Sequence, residues 1–253
     1  MCDKLKAAGV TPFAGTLADS WTALPSFNGL GGYAAQDHWF DRLRAEGENV
    51  GPKAAESFQK DWTTTVAARQ KQLYSYAQEG YRGKTYDDGN AAFAKGEVAM
   101  LMQGIWAVNP ITQINPKINA GIFPYPTDSA ADRRLVSGVD VVVTMGRNTP
   151  HRAEAQEFIH YLFQRGVIEK FAASQNMIPS VQGAKLGDNR ALKDVEPFFT
   201  SGRITGFIDH QIPPERPPLA QIAQEELFTG DVEQGDGHAR QRMAQGRRPH
   251  DPP

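Results

Sequence analysis

The side chains of this chain that could do chemistry are two tryptophans and a few polar residues, and their types and positions suit the handling of a polyhydroxylated ligand. Trp106 stands just after Gly104, where an apolar run ends. A flat ring at such a strand end lies where open α/β proteins bind their ligands. Trp21 follows Asp19 and Ser20 behind a short strand pattern, and its indole is expected at the carboxyl side of that strand. Asp140 interrupts a run of valines, and an unpaired buried charge there would be strongly destabilising, so it either meets a structural partner or opens onto a cleft. Aromatic rings take the C–H faces of a sugar, while carboxylates, amides and arginine take its hydroxyls. Two activities use that set: binding without turnover, or glycoside hydrolysis with Asp19 and Asp140 as acid and nucleophile.

Other chemistries lack their residues. His151 and His160 are nine apart, no His-x-x-x-His or Cys-x-x-Cys pair occurs, and Gly-x-Ser-x-Gly, Walker and dinucleotide glycine patterns are missing. No cofactor or metal is implied. The formal charge of −2 gives no basic footprint, so neither nucleic acid nor an anionic membrane surface is indicated as a partner. With 253 residues, 40% of them hydrophobic and 22% charged, the chain can bury a sizeable core as one large or two small domains. No window of about 18 apolar residues marks a transmembrane segment. Cys2 has no partner for an internal disulfide, and without an apolar leader before it, it reads as a helix residue rather than a lipid anchor.

The elements that must position these residues follow from punctuation and periodicity. The organising stretch runs from Asp87 to Pro110: Ala91–Phe93 open a short helical run that Gly96 ends, and Val98–Met102 is a buried strand pointing at Trp106. Before it, Gly9 caps a first helix, Val10–Phe13 read as a short strand, and Asp19 or Ser20 caps a helix ended by Gly29, Gly31 and Gly32. Residues 38–43 are a short apolar-containing segment, and 54–79 are the longest helical pattern, one helix or two. Trp39 and Trp62 fall in helical patterns and are assigned to packing. Residues 118–126 and 137–145 read as strands, 149–166 and 167–174 as helices, and 196–206 and 213–230 as two further elements. The proline-rich end beyond Gly246 reads as disordered.

The phrase Phe93-x-x-Gly96-x-x-Ala99-Met100-x-x-x-Gly104-x-Trp106 resembles the signature of bacterial extracellular solute-binding protein family 1, the maltose-binding-protein-like sugar receptors of ABC importers. The resemblance continues in order through about Glu233, whereas no glycosidase signature accompanies the two aspartates. It implies an α/β fold of the type II periplasmic binding protein kind. The fold is incomplete here: residues 1–138 would be the first part of the second lobe, 139–195 a hinge strand and helices packing on a missing first lobe, 196–238 a return to the second lobe, and 239–253 a disordered tail.

It also implies a receptor, not an enzyme, that captures a mono- or oligosaccharide between two lobes and delivers it to a membrane permease. A non-sugar solute receptor of the same superfamily is the alternative, besides the hydrolase. The full-length protein would be extracytoplasmic, periplasmic or a cell-surface lipoprotein, with this chain the C-terminal portion of a longer receptor. In that reading Trp21 and Trp106 supply sugar-facing rings and Asp19 and Asp140 meet hydroxyls. Gly138 and Arg134 flank the crossover, with Arg134 pairing a carboxylate or hydroxyl, and Asp209 lies in a loop that approaches ligand.

Overall fold

The computed structural model describes residues 1–34, 66–127, 129–139, 141–211 and 219–229. Asp140, Trp39, Trp62, the 38–43 segment, most of the 54–79 pattern and the proline-rich end therefore lie outside the described residues.

The chain opens on α1 (Cys2–Ala7), which Gly9 ends at φ +75 while the Val10 N–H returns to the Leu5 carbonyl at 2.9 Å. β1 (Thr11–Ala14) follows and runs parallel to β2 (Val98–Leu101), with Thr11 opposite Val98, Phe13 opposite Met100 and Ala14 opposite Leu101. On its other flank β1 meets the 76–78 segment, where the Gln78 N–H donates to the Phe13 carbonyl at 3.2 Å. The Gln78 amide then clasps the Gly15 peptide from both sides at 2.7 Å, which fixes the chain as it leaves the strand.

α2 (Leu24–Ala34) runs straight through Gly29, Gly31 and Gly32, where the sequence predicts its end. Packing overrides the weak helix propensity of glycine here. A Cβ at Gly29 would lie 2.2 Å from the Tyr125 ring, one at Gly31 2.4 Å from Ile208, and one at Gly32 2.9 Å from Thr205, so the bare face lets neighbours press against the helix. α3 (Ala68–Tyr74) buries Gln70, whose amide donates to the Ala23 carbonyl at 3.2 Å and to the Ser26 hydroxyl at 2.8 Å, tying α3 to the start of α2.

α4 (Tyr86–Ala94) begins well ahead of the predicted helical run because Thr85 and Asp88 form a reciprocal capping box. Its end is as expected: Gly96 adopts φ +76, its N–H returns to the Phe93 carbonyl, and the Glu97 N–H returns to Ala92. β2 and a single helical turn at Ile105–Ala107 lead into α5 (Val108–Ile114).

The two remaining predicted strands differ from expectation. Residues 118–127 form no strand; the Ile122 N–H donates instead to the Asp194 carboxylate at 3.0 Å, a side-chain acceptor in place of a ladder. No described residue of the predicted 137–145 run is in a strand; pairing falls just before it, where Leu135–Val136 (β3) runs parallel to Ile204–Thr205 (β4). Val139, Val141, Val142 and Val143 stand exposed, three of them above 60%, with no partner strand among the described residues. β propensity alone does not make a strand without a neighbour to pair.

α6 (Arg152–Leu162) buries no residue, and α7 (Arg165–Ser174) starts at a break that falls before Gly166 rather than at it. α8 (Arg190–Thr200), capped by Asn189, precedes β4, and α9 (Leu219–Thr229) lies on the turn that follows β1. Leu17, Ala23, Phe27, Tyr74, Met102, Ile208, Ala223 and Leu227 form the main core, so the loop after β1 is bedded on it.

Candidate functional site

Because β1 and β2 are parallel, their carboxyl ends lie side by side at Ala14 and Leu101. Each strand passes through a short loop into one helical turn that carries a tryptophan: Trp21 in Ser20–Ala23 and Trp106 in Ile105–Ala107. The crevice beyond such strand ends is where open α/β folds bind ligands.

The Trp21 turn is anchored from below. The Thr22 hydroxyl lies 2.6 Å from the Thr16 carbonyl and 2.7 Å from that of Asp19, and the Tyr74 hydroxyl donates to the Thr22 carbonyl at 3.4 Å. From α9, the Gln224 amide donates to the Leu17 carbonyl at 2.6 Å. Backbone and small side chains are thus fixed while the indole itself is 38% exposed.

Its ring meets Tyr86 at 5.0 Å between centroids, tilted by 54°. Asp19, two residues before Trp21, accepts the Tyr86 backbone N–H at 2.7 Å. Its carboxylate therefore sits at the amino end of α4, where negative charge is favoured. The sequence placed Asp19 on ligand hydroxyls; the structure gives one of its oxygens a structural partner.

Trp106 is half-buried and belongs to the shell, with Tyr86, Phe93, Leu101 and Ile118, that packs against Ala94, Ala107 and Ile111. The indole lies across Gly104, where a Cβ would come within 2.1 Å of the ring, and its N–H donates to the Gln103 side-chain oxygen at 3.1 Å. Tyr86 is in ring contact with Trp21 and packs against the same small core cluster as Trp106. Sequence reasoning missed Tyr86. Its signal was the Thr85-x-x-Asp88 box, which makes it the first residue of a helix aimed at the strand ends.

Burial pushes the Tyr86 phenol up, against a lowering influence from the Asn90 amide, with the Asp87 charge adding to the rise. Asn90 is itself 1% exposed, and neither of its amide atoms makes a full hydrogen bond; the Gln103 Nε2 is buried and unpartnered as well. Each such group costs about 1–3 kcal/mol when left unmade.

The other sequence-chosen residues gather elsewhere, across α2. Gly138 lies under the Phe207 ring, where a Cβ would fall 2.8 Å away, and Phe207 contacts His210 at 5.0 Å. Buried Asn28 accepts the N–H groups of Ile208 and Asp209 at 2.8 and 3.3 Å, while Asp209 Oδ1 is buried with no hydrogen-bond partner. Arg134 is half-buried just ahead of β3. The structure therefore brings Trp21 and Asp19 together at Tyr86, puts Trp106 beyond the end of the adjoining strand, and holds Gly138 and Asp209 as a second group. No cluster of histidine, cysteine and carboxylates able to hold a metal occurs among the described residues.

Residues 1–167 match the family described as bacterial extracellular solute-binding protein. The chain belongs to that family. A relative within reach of sequence comparison is the Multiple sugar-binding protein of Streptococcus mutans, 27% identical over 116 residues, or 46% of this chain and 28% of that protein. Among solved structures, the solute-binding protein RafE in complex with raffinose superposes with a TM-score of 0.75 at 20% identity, over 98% of this chain and 64% of RafE. A Bacillus licheniformis sugar transporter in complex with stachyose gives 0.71 at 16% identity, over 97% of this chain and 64% of that one. These likenesses establish the fold, an α/β binding-protein architecture of which the chain spans less than two thirds of the solved receptors' length. Among the described residues no helix is long and apolar enough to cross a membrane.

Proposed function

We propose that the protein is the carbohydrate-binding component of an ABC importer and that the Trp21–Tyr86–Trp106 group is its sugar-facing surface in the lobe described here. The single observation that carries this reading is that group's place at the adjoining carboxyl ends of β1 and β2, with one ring more than a third exposed. Stacking against rings rewards the C–H face of a pyranose. The family and the oligosaccharide receptors among its structural neighbours favour that ligand class over other solutes.

Capture by such a receptor is a population shift: ligand favours a closed arrangement to the extent that it makes extra contacts there. Residues 139–195, with the unpaired valines and the exposed Phe158, Tyr161 and Phe171, would pack on the part of the receptor that this chain does not match. The full-length receptor would work outside the cytoplasm, as a periplasmic protein or a cell-surface lipoprotein, and would present its closed form to a membrane permease. By itself this chain would supply only one side of the cleft, so it is expected to bind sugar weakly or not at all, and micromolar affinity in calorimetry would overturn that.

Titration with raffinose, stachyose and chitin oligosaccharides, followed by tryptophan fluorescence, tests the reading. A saturable change at millimolar sugar that is lost in Trp106→Ala supports it. Turnover of a glycoside that disappears in Asp140→Asn would replace the receptor with a hydrolase.

A further inference from the structure

We propose that Asn109 and Asn176 are positioning residues of the Trp106 turn: their side-chain amides clasp the end of α7 to the helix that continues from that turn, so the seat of α7 and the setting of the ring are linked. The proposal rests on the carbohydrate reading above and adds to it two residues outside the ring cluster.

The clasp is made of direct contacts between two distant stretches of chain. The Asn109 amide donates to the Ser174 carbonyl at 3.3 Å, and its oxygen accepts from the Asn176 amide. Asn109 thus spends both ends of its amide on the end of α7. Ser174 is the last residue of that helix, so its carbonyl is one of those a helix leaves without an internal partner. Asn109 is the second residue of α5, three after Trp106, and the chain passes from the Ile105–Ala107 turn into α5 without a break.

The backbone shows that asparagine at 176 is used for its side chain. α7 ends in a Schellman pattern, in which the Asn176 N–H returns to the Ala173 carbonyl at 3.3 Å and the Met177 N–H to that of Ala172 at 2.8 Å. This turn holds Asn176 at φ +53, the left-handed region that glycine enters without strain. The other described residues at positive φ, Gly9, Gly80, Gly96, Gly183 and Gly202, are all glycine. Asparagine tolerates the region better than most side chains, and here its amide is the group that reaches Asn109.

The pair spans two parts of the receptor reading. Asn109 goes with the ring offered to sugar; Asn176 goes with the 139–195 segment, whose α6 buries no residue and which would pack on the rest of the receptor. What fixes that segment therefore bears on the Trp106 turn, and sugar on the ring bears on the segment through the same coupling.

The test is Asn176→Gly in the 253-residue chain, followed by the indole N–H resonances and by hydrogen exchange of the Met177 amide. Glycine takes φ +53 freely and keeps both Schellman bonds, so the reach to Asn109 alone is lost. Asn109→Ala, which removes both bonds of the clasp, is the second variant. Expected is a shifted Trp106 signal in Asn176→Gly, with Trp21 unmoved and Met177 as protected as in the parent, and one Trp106 position shared by Asn109→Ala and the double variant. A Trp106 signal in Asn176→Gly that matches the parent's overturns the proposal. Loss of Met177 protection overturns it too, since the side chain would then serve its own turn alone. For a sugar that the parent binds, both variants should bind roughly two- to tenfold more weakly, the worth of about one hydrogen bond, and equal affinity overturns the linkage. Sugar that binds without moving either indole removes the carbohydrate reading and leaves the clasp, which the spectra without ligand decide.

Discussion

Gly104→Ala is the substitution that displaces the Trp106 ring with least disturbance elsewhere. Gly104 has φ −89 and ψ 179, extended backbone that alanine adopts freely, so the effect comes from the methyl group and not from strain in the main chain. That methyl would lie 2.1 Å from Cζ3 and 2.3 Å from Cη2 of the indole, against about 3.5 Å for ordinary carbon contact, so the ring must retreat by roughly 1.4 Å. Overpacking of this kind costs about 1–3 kcal/mol, and losing the bond from the indole N–H to Gln103 about 1 kcal/mol more. Replacing glycine by alanine returns about 0.4–1 kcal/mol by narrowing the unfolded ensemble. The net is a destabilisation of about 1–3.6 kcal/mol, or a fall in melting temperature of roughly 2–14 °C. Circular dichroism gives the melting temperature, and the indole N–H resonance of Trp106 reports whether its bond to Gln103 persists. An unchanged Trp106 resonance with a melting temperature equal to or above the parent's would refute the placement of the ring across Gly104.

Other substitutions probe the surroundings. Asp19→Ala removes the acceptor of the Tyr86 N–H and should cost about 1–2 kcal/mol while loosening the Trp21–Tyr86 contact; a thermal melt and Trp21 fluorescence both unchanged would contradict that coupling. The backbone and hydroxyl of Thr85 hold the Asp88 carboxyl below its usual range, so the stability it lends α4 is present above the ordinary carboxylate pKa and is lost as pH falls through the lowered one. An acid titration of the melting temperature should therefore fall less steeply at low pH in Asp88→Asn than in the parent, and identical profiles would count against the box. The exposed valines should make the chain associate with rising concentration, and Val141→Ser with Val142→Ser should reduce this in sedimentation velocity; a monomer at every concentration would show that the face is not adhesive.

The placing of the two tryptophan turns was legible in the sequence because it depends on order along the chain. Trp21 and Trp106 each follow a short strand pattern, and parallel pairing of those strands is enough to bring their carboxyl ends together. Gly96 as a helix stop was equally readable, because a left-handed residue favours glycine. What depends on partners in space was not legible. The valine run has every strand propensity but no neighbour among the described residues, and α2 keeps its helix through three glycines because Tyr125, Ile208 and Thr205 close on it. The Thr85-x-x-Asp88 box marks Tyr86 as the first residue of a helix, but not its contact with Trp21 or the reach of Asp19 to its N–H. The burial of Asn90 follows from how α4 seats on the strand ends, which no local pattern records.

The central claim, that carbohydrate lies on the aromatic group at the ends of β1 and β2, is tested most directly by following the indole N–H resonances of the protein during titration with an oligosaccharide such as raffinose. The account predicts saturable shifts of the Trp21 and Trp106 signals at millimolar sugar. Indole signals of both residues that stay in place while sugar binds elsewhere on the chain would contradict it.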